Sequence, residues 1–284
     1  MKFSSSDIFK LVTEFVREDV GRGDITSEAL APNSVTSKGK FIADEEFVLA
    51  GLEVADAVFA VLDAQVEIEA FASDGDWVKK DDCFARVNGP GEVLLTGERV
   101  ALNLLRHLSG IATLTRRYVD AVKGTRAMIT DTRRTTPGLR LLERYAVLTG
   151  GGHNGRMGLD DGILIQNNHV ALVGGIKESI GRVRETGVDC LHKIEVEVGS
   201  RADLAEAVSA GADVIFLTQL TPEQVAPLIE WTRSERPDLV IGVLGEVTLE
   251  NARSYAETGV DMLAVGALTD AVRSVAISFK VSTM

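Results

Sequence analysis

Cysteine is nearly missing from this chain: Cys83 and Cys190 are the only two in 284 residues. Two thiols so far apart build neither a disulfide framework nor a metal cluster, and the plain expectation is a pair of buried free cysteines. An uninterrupted apolar stretch is missing too. The opening segment MKFSSSDIFKLVTEFVRED has no apolar h-region and no small-residue cleavage site, so it does not read as a signal peptide. No apolar run approaches the length of a membrane span. Positive charge is in deficit, with 30 Lys and Arg against 42 Asp and Glu and a net charge of −12. Such a field opposes nucleic acid and anionic membranes, and it obliges any anionic substrate to find a focused positive pocket. What remains is ordinary for a soluble globular protein: 45% apolar and 25% charged residues, in a chain long enough for two domains. The expectation is a cytoplasmic protein with neither a nucleic-acid nor a membrane partner.

Periodicity divides the chain. Residues 5 to 19 place Ile8, Leu11, Val12, Phe15 and Val16 on one helical face, with Ser6 and Asp7 near its start. From 36 to 98, short β-type runs (Lys40 to Ile42, Val66 to Phe71, Phe84 to Val87, Glu92 to Leu95) alternate with turn residues, which predicts a mixed sheet with few helices. Val100, Leu104, Leu105 and Leu108 then recur at helical spacing; Ser109-Gly110 breaks the pattern and Ile111 to Val122 resumes it.

After residue 126 apolar runs at 127–132, 163–166, 194–198, 214–218, 240–244 and 262–265 alternate with amphipathic segments at 139–148, 176–185, 202–210, 222–233 and 249–257. Thr221 with Pro222, and Thr248, mark helix starts. This rhythm predicts parallel strands with right-handed crossovers. It fits a closed or nearly closed barrel and a doubly wound sheet equally well, and in both a ligand binds at the C-terminal strand ends.

Those ends carry the polar residues. The first gives Thr132-Arg133-Arg134-Thr135-Thr136-Pro137-Gly138, two guanidinium forks suited to carboxylates or phosphates. Gly150-Gly151-Gly152-His153-Asn154-Gly155-Arg156 adds a flexible loop and a third arginine. Gln166-Asn167-Asn168-His169 ends the next strand. Glu195 and Glu197 alternate with Val196 and share a face; inside a barrel they require a cation, a proton or a metal, whereas on the outer face they would pair with lysines such as Lys193. Thr218, Gly245-Glu246 and Gly266-Ala267 end the remaining strands, the last able to offer backbone N–H groups to a phosphate. Arg133, Arg134 and Arg156 are expected to converge at one mouth, where unbalanced guanidinium groups would repel one another unless an anion binds.

The motif at 132–140, Glu143-Arg144-Tyr145-Ala146, and Gly150-Gly151-Gly152 with Asn154 and Arg156 closely resemble the signature of the quinolinate phosphoribosyltransferase family. Glu18-Asp19, Gly23-Asp24-Ile25-Thr26, Glu98-Arg99, Leu102-Asn103, 109–113, Asn168-His169, Glu195-Val196-Glu197-Val198 and the stretch from Gly259 to Thr269 follow in the family's order, so the resemblance runs nearly end to end. It implies an α/β fold with an N-terminal α/β sandwich-like domain over residues 1–110 and a C-terminal open barrel over residues 111–273. The alternation of Val275, Ile277 and Phe279 further predicts that residues 274–284 pack back on the first domain.

The resemblance also implies transfer of phosphoribose from phosphoribosyl pyrophosphate to quinolinate with loss of CO₂, Mg²⁺ assisting the pyrophosphate, and a homodimer in which the partner's Arg99 completes each site. On this pattern Arg99, Thr132, Arg133, Arg134, Arg156 and Gln166 bind substrate, Glu197 and Arg134 are catalytic, Gly245, Glu246, Gly266 and Ala267 surround phosphate, and Glu197 with Thr218 faces the metal.

The departures from the pattern are polar. The family usually has Lys at Arg134 and Gln166, His at Gly155 and Asp270, Asp at Thr218, Ser at Ala264, and Glu-x-Ser-Gly-Gly at 242–246. A Glu246 facing phosphate would cost about 3 kcal/mol per phosphate charge at about 5 Å and an effective dielectric of about 20. Three functions therefore stay open: the family reaction, a paralogue using another base, and a binding or regulatory homologue without catalysis.

Overall fold

The computed structural model describes residues 5–30 and 36–283. Residues 1–4, 31–35 and 284, which the domain limits above include, lie outside the described residues. The chain forms two compact units, one of residues 1–116, 141–151 and 272–284, the other of residues 117–140 and 152–271. In chain order the elements are α1 (Ser5–Val20), α2 (Ile25–Leu30), β1 (Thr36–Ala43), β2 (Phe47–Val48), α3 (Leu52–Leu62), β3 (Glu67–Ala70), β4 (Trp77–Val78), β5 (Cys83–Pro90) and α4 (Gly91–Ala121). There follow β6 (Met128–Thr130), α5 (Arg140–Thr149), β7 (Ile163–Ile165), α6 (Asn167–Val173), α7 (Ile176–Thr186), a 3₁₀ turn (Val188–Cys190), β8 (Ile194–Val198), α8 (Arg201–Ser209), β9 (Val214–Thr218), α9 (Pro222–Glu235), β10 (Val240–Leu244), α10 (Ala252–Glu257), β11 (Met262–Ala264), α11 (Ala267–Asp270) and β12 (Ile277–Thr283).

The first unit is built on an antiparallel sheet in the order β12-β1-β5-β3. The strand period of two turns Phe41 and Ala43 inward, and the Phe41 ring lies 5.9 Å from Phe84 and 4.6 Å from Phe279. Ile8, Val12 and Val16, one helical turn apart, bury the inner face of α1 against α3. Ser6 and Asp7 lie inside the first turn of α1, which starts at Ser5.

Three expectations fail in this unit. Helix α3 was not foreseen, although Val54, Ala55, Val58 and Phe59 are buried at helical spacing. The run Glu92 to Leu95 is the first turn of α4 and not a strand, because four residues cannot separate the two periods. Ser109-Gly110 does not break α4, which is one helix of 31 residues. These two residues are packing points. Ser109 Oγ accepts Ala50 N–H at 3.0 Å, and a Cβ on Gly110 would lie 2.5 Å from the Arg273 carbonyl.

The second unit carries a parallel sheet in the order β6-β11-β10-β9-β8-β7. From β8 to β11 each strand pairs with the one before it, and β6 then pairs with β11 at the far edge. Successive right-handed crossovers in one direction put every connecting helix on the same face. The opposite face is covered when the sheet rolls up, and rolling is what brings the first strand beside the last. The result is an open barrel, without hydrogen bonds between β6 and β7, and not a doubly wound sheet. Inside it a Cβ on Gly242 would stand 2.6 Å from Phe216 Cε1, so the glycine makes room for the ring.

Helix α10 starts at Ala252, three residues after the expected Leu249, with Asn251 Oδ1 accepting Thr248 N–H at 2.8 Å. Cys190 is exposed and Cys83 half-buried, contrary to the expected buried pair; Cys190 ends a 3₁₀ turn that buries none of its residues. Among the described residues no helix is long and apolar enough to cross a membrane.

Candidate active site

A cavity of about 310 Å³ opens at the C-terminal ends of the barrel strands. It collects Thr132, Arg133, Arg134, Arg156, Gln166 and Glu197 from four separate connections and strands, together with Asp131, Gly155, Glu195 and the apolar Leu164, Phe216, Leu244 and Ala264. Parallel strands all end at the same rim, so residues far apart in sequence meet there.

The arginine loops are tied to the scaffold and to each other. Asp131 N–H donates to the His153 carbonyl at 3.0 Å, and His153 N–H to the Ile129 carbonyl at 2.8 Å, so residues 153–156 continue beside β6. The buried Asp131 accepts Gly155 N–H at 2.7 Å. Arg140 donates to Thr135 Oγ1 at 2.9 Å and to the Met157 carbonyl at 3.2 Å, pinning both loops. Arg156 donates to the Gly162 carbonyl at 3.1 Å. Arg134 reaches Asp270 at 3.8 Å.

On β8, Glu195 and Glu197 both face the cavity, which settles the choice between inner and outer face. Gln166 Nε2 donates to Glu197 Oε1 at 2.8 Å. A neutral amide thus fixes Glu197 without cancelling its charge. Burial pushes the Glu195 carboxyl up from its ordinary range, against the opposing pull of Arg156 and Lys193. Burial and the neighbouring Arg133 draw the Arg156 guanidinium down, against Glu195 and Glu197.

The cavity's charges are mixed. Three arginines share the cavity with three carboxylates, and Arg134 has Asp270 besides. The carboxylates offset part of the guanidinium repulsion without a ligand, and the part still felt at Arg156 comes from Arg133.

The remaining expected residues are outside the cavity's lining. Thr218 is on the same side of β9 as Phe216, but its hydroxyl is turned onto the Val198 carbonyl at 3.5 Å, and it does not line the cavity. Gly245, Glu246, Gly266 and Ala267 are also outside the lining. Glu246 is exposed, its carbonyl accepting from Asn251 Nδ2 at 2.9 Å. Its charge is felt at Tyr255, where burial, Glu223 and Glu246 together raise the phenol. Arg99 lies in the first unit, exposed, beside Asp19, Asp24 and Thr96.

Sequence reasoning passed over Asp131, Leu164, Phe216 and Leu244 as lining groups. Asp131 had a signal, since it directly precedes the first arginine motif. The apolar ones had none, because β7 and β10 are apolar on both faces and β9 is apolar but for Thr218.

A divalent metal can be tested against these donors. Among the described residues no three His, Cys, Asp or Glu side chains group as a metal cage. Mg²⁺ does not need one, since it keeps waters and substrate phosphate oxygens and takes one or two protein carboxylates. Glu197, with its second oxygen outside the Gln166 bond, fits that limited role; Thr218 does not.

Comparison with known proteins agrees over the whole chain. Residues 24–109 match the quinolinate phosphoribosyl transferase N-terminal domain and residues 111–280 the C-terminal domain. A protein of Bacillus subtilis named "Probable nicotinate-nucleotide pyrophosphorylase [carboxylating]" is 39% identical over 273 residues, covering 96% of this chain and 93% of its own length. The nicotinate-nucleotide pyrophosphorylase (carboxylating) of Mycobacterium leprae is 40% identical over 263 residues, 91% of each chain. The crystal structure of NadC from Streptococcus pyogenes superposes with a TM-score of 0.94 at 35% identity, covering 100% of this chain and 99% of that one. With both domains matched in order and the barrel cavity in place, the chain belongs to the quinolinate phosphoribosyltransferase family.

Proposed function

We propose that this chain transfers the phosphoribosyl group of phosphoribosyl pyrophosphate to quinolinate, with loss of CO₂, to give nicotinate mononucleotide and pyrophosphate for NAD biosynthesis in the cytoplasm. The observation that carries the proposal is the convergence of Arg133, Arg134, Arg156, Gln166 and Glu197 in one cavity at the barrel rim, in a chain of which 96% and 91% align with the Bacillus subtilis and Mycobacterium leprae proteins named nicotinate-nucleotide pyrophosphorylase (carboxylating), the first as probable.

In the reaction the ring nitrogen bonds to C1 of the ribose as the C1–oxygen bond to pyrophosphate breaks. The carboxylate beside the nitrogen then leaves as CO₂, and the ring carbon takes a proton. Arg133 and Arg156 receive the two carboxylates, because planar forks match planar carboxylates. Glu197, held by Gln166, faces the positive charge that develops at C1. Arg134 takes the leaving pyrophosphate. The Glu197 oxygen left outside the Gln166 bond would hold Mg²⁺, which would supply charge neutralisation for the leaving pyrophosphate. Catalysis is then mostly positioning and charge stabilisation.

The active form is a homodimer in which the partner subunit's Arg99 enters the cavity. Arg99 is exposed beside the exposed apolar residues Ile25 and Leu95, a surface suited to another chain.

The test incubates the protein with quinolinate, phosphoribosyl pyrophosphate and Mg²⁺ and follows nicotinate mononucleotide. Release of CO₂ and product only with all three supports the proposal; no product, with both ligands unbound in calorimetry, sinks it. For the shared site, Arg99→Ala and Arg156→Ala are each expected to lose most of the activity and to regain part of it when mixed. If the mixture regains none while it exchanges subunits, Arg99 does not act across copies.

A further inference from the structure

We infer that the turn after β11, residues 266–270, is a cradle that positions Arg134 for its anionic ligand, with Gly266 and Asp270 as positioning residues. The inference rests on the reading of the barrel cavity as an anion site.

Gly266 has φ −66° and ψ −36°, a helical conformation that any residue adopts. Backbone freedom therefore gives no reason for a glycine at this point. Space does. A Cβ on Gly266 would stand 3.0 Å from one terminal nitrogen of Arg134 and 3.1 Å from its Cδ, and 3.3 Å from Asp270 Oδ2. The arginine side chain thus runs across a bare Cα. Its guanidinium ends 3.8 Å from Asp270 Oδ2, and Thr269 Oγ1 donates to the Arg134 carbonyl at 2.5 Å. Head, stem and backbone each meet one residue of the same five-residue turn.

The consequence concerns binding. The Arg134 side chain is 64% exposed, and a long side chain so exposed samples many rotamers, which binding must then freeze. A cradle removes that loss beforehand. Arg134 and Ala264, the last residue of β11, both line the cavity, so the cradle holds the guanidinium at the rim where an anion enters. The alternative role for Asp270 is a plain competitor that occupies Arg134 until a ligand displaces it, and the two roles predict opposite signs.

The deciding experiment is a double-mutant cycle of the parent, Gly266→Ala, Arg134→Ala and the double variant. Calorimetry with quinolinate and, separately, with pyrophosphate plus Mg²⁺ gives the affinities. The ligand that Arg134→Ala weakens is the reporter. Gly266→Ala is expected to weaken that ligand roughly two- to twelvefold in the parent, the range for one immobilised side chain, and to change nothing in the Arg134→Ala background. Asp270→Asn should show the same coupling, with Asp270→Glu restoring most of the affinity. In turnover the loss should fall on KM, with kcat kept.

Equal weakening by Gly266→Ala in both backgrounds would overturn the inference, as would tighter binding in Asp270→Asn. Either result leaves the anion site itself standing. If Arg134→Ala binds both probes as the parent does, the cradle and the role of Arg134 in that site fall together.

Discussion

The two units of this chain use buried polar groups in different ways. In the first unit the buried and half-buried groups Asp74, Ser109 and Glu143 close structural gaps, whereas the buried Thr115 hydroxyl has no hydrogen-bond partner. Asp74 accepts Gly51 N–H at 2.7 Å and Leu52 N–H at 3.2 Å at the start of α3, and takes the Tyr145 hydroxyl of α5 at 2.6 Å. Ser109 holds Ala50, and Glu143, fully buried, meets His107 at 2.8 Å. In the second unit Thr232, Asp213 and Asp261 also close local gaps, but a further set crowds one rim: the Glu195 carboxyl is pushed up by burial, and three arginines and three carboxylates face a common space. A buried polar residue that closes local gaps marks scaffold. One that converges with others around a void marks a site.

That contrast is broken most severely at Asp74. Asp74→Ala strands two N–H donors and a phenol whose ionisation burial and Asp74 already oppose. It is expected to lower stability by about 3 kcal/mol, the sum of several modest hydrogen-bond terms, while the folded fraction keeps its kcat. A denaturant titration with activity measured alongside checks this; loss of kcat without loss of stability would place Asp74 with the site residues.

Arg156→Ala is the reverse case. Removing a charge-assisted contact of about 2 kcal/mol should lower kcat/KM roughly thirtyfold with little change in Tm. A large fall in Tm together with unchanged kcat/KM would make Arg156 scaffold.

A smaller effect should follow from supplying the cations that the family pattern usually has here. Gln166→Lys with Gly155→His would tighten quinolinate binding by about tenfold, near the low end for one charge-assisted hydrogen bond. The added Cβ at residue 155 would lie 3.3 Å from the Asp131 carbonyl, so the loop must yield by a few tenths of an ångström. Calorimetry reads the outcome, and a double variant that binds no better shows that Gln166 already serves the ligand through Glu197.

The smallest effect concerns pH. Glu195 is raised in the folded state, so its contribution to stability is full below the unfolded-state value, about 4.3, and is lost as pH rises through the folded value. Glu195→Gln removes that loss. The variant should gain on the parent as pH rises from about 4 towards neutrality, in urea titrations at stepped pH. A difference that stays constant with pH would show that Arg156 and Lys193 offset the burial.

Much of the second unit could be read in advance because its strands and helices alternate in chain order, and each apolar run is long enough to show its period. The first unit was less legible. Four residues at the start of α4 look like a strand because β-type and helical patterns differ only over longer windows. The helix α3 takes its N-terminal partner from Asp74, 22 residues beyond Leu52, so no local cap announces it.

The sequence by itself determined the charge deficit, the strand–helix rhythm, the motifs at the strand ends and, through them, the family. Those features are local or compositional, and local chemistry fixes them before folding. Tertiary structure decided what distance and direction decide. It rolled the sheet into a barrel, turned Glu195 and Glu197 inward and Glu246 out to solvent, and set carboxylates against the arginines. It laid Arg134 over Gly266. A side chain's partner depends on which strand rolls up beside it, and that neighbour lies tens of residues away along the chain.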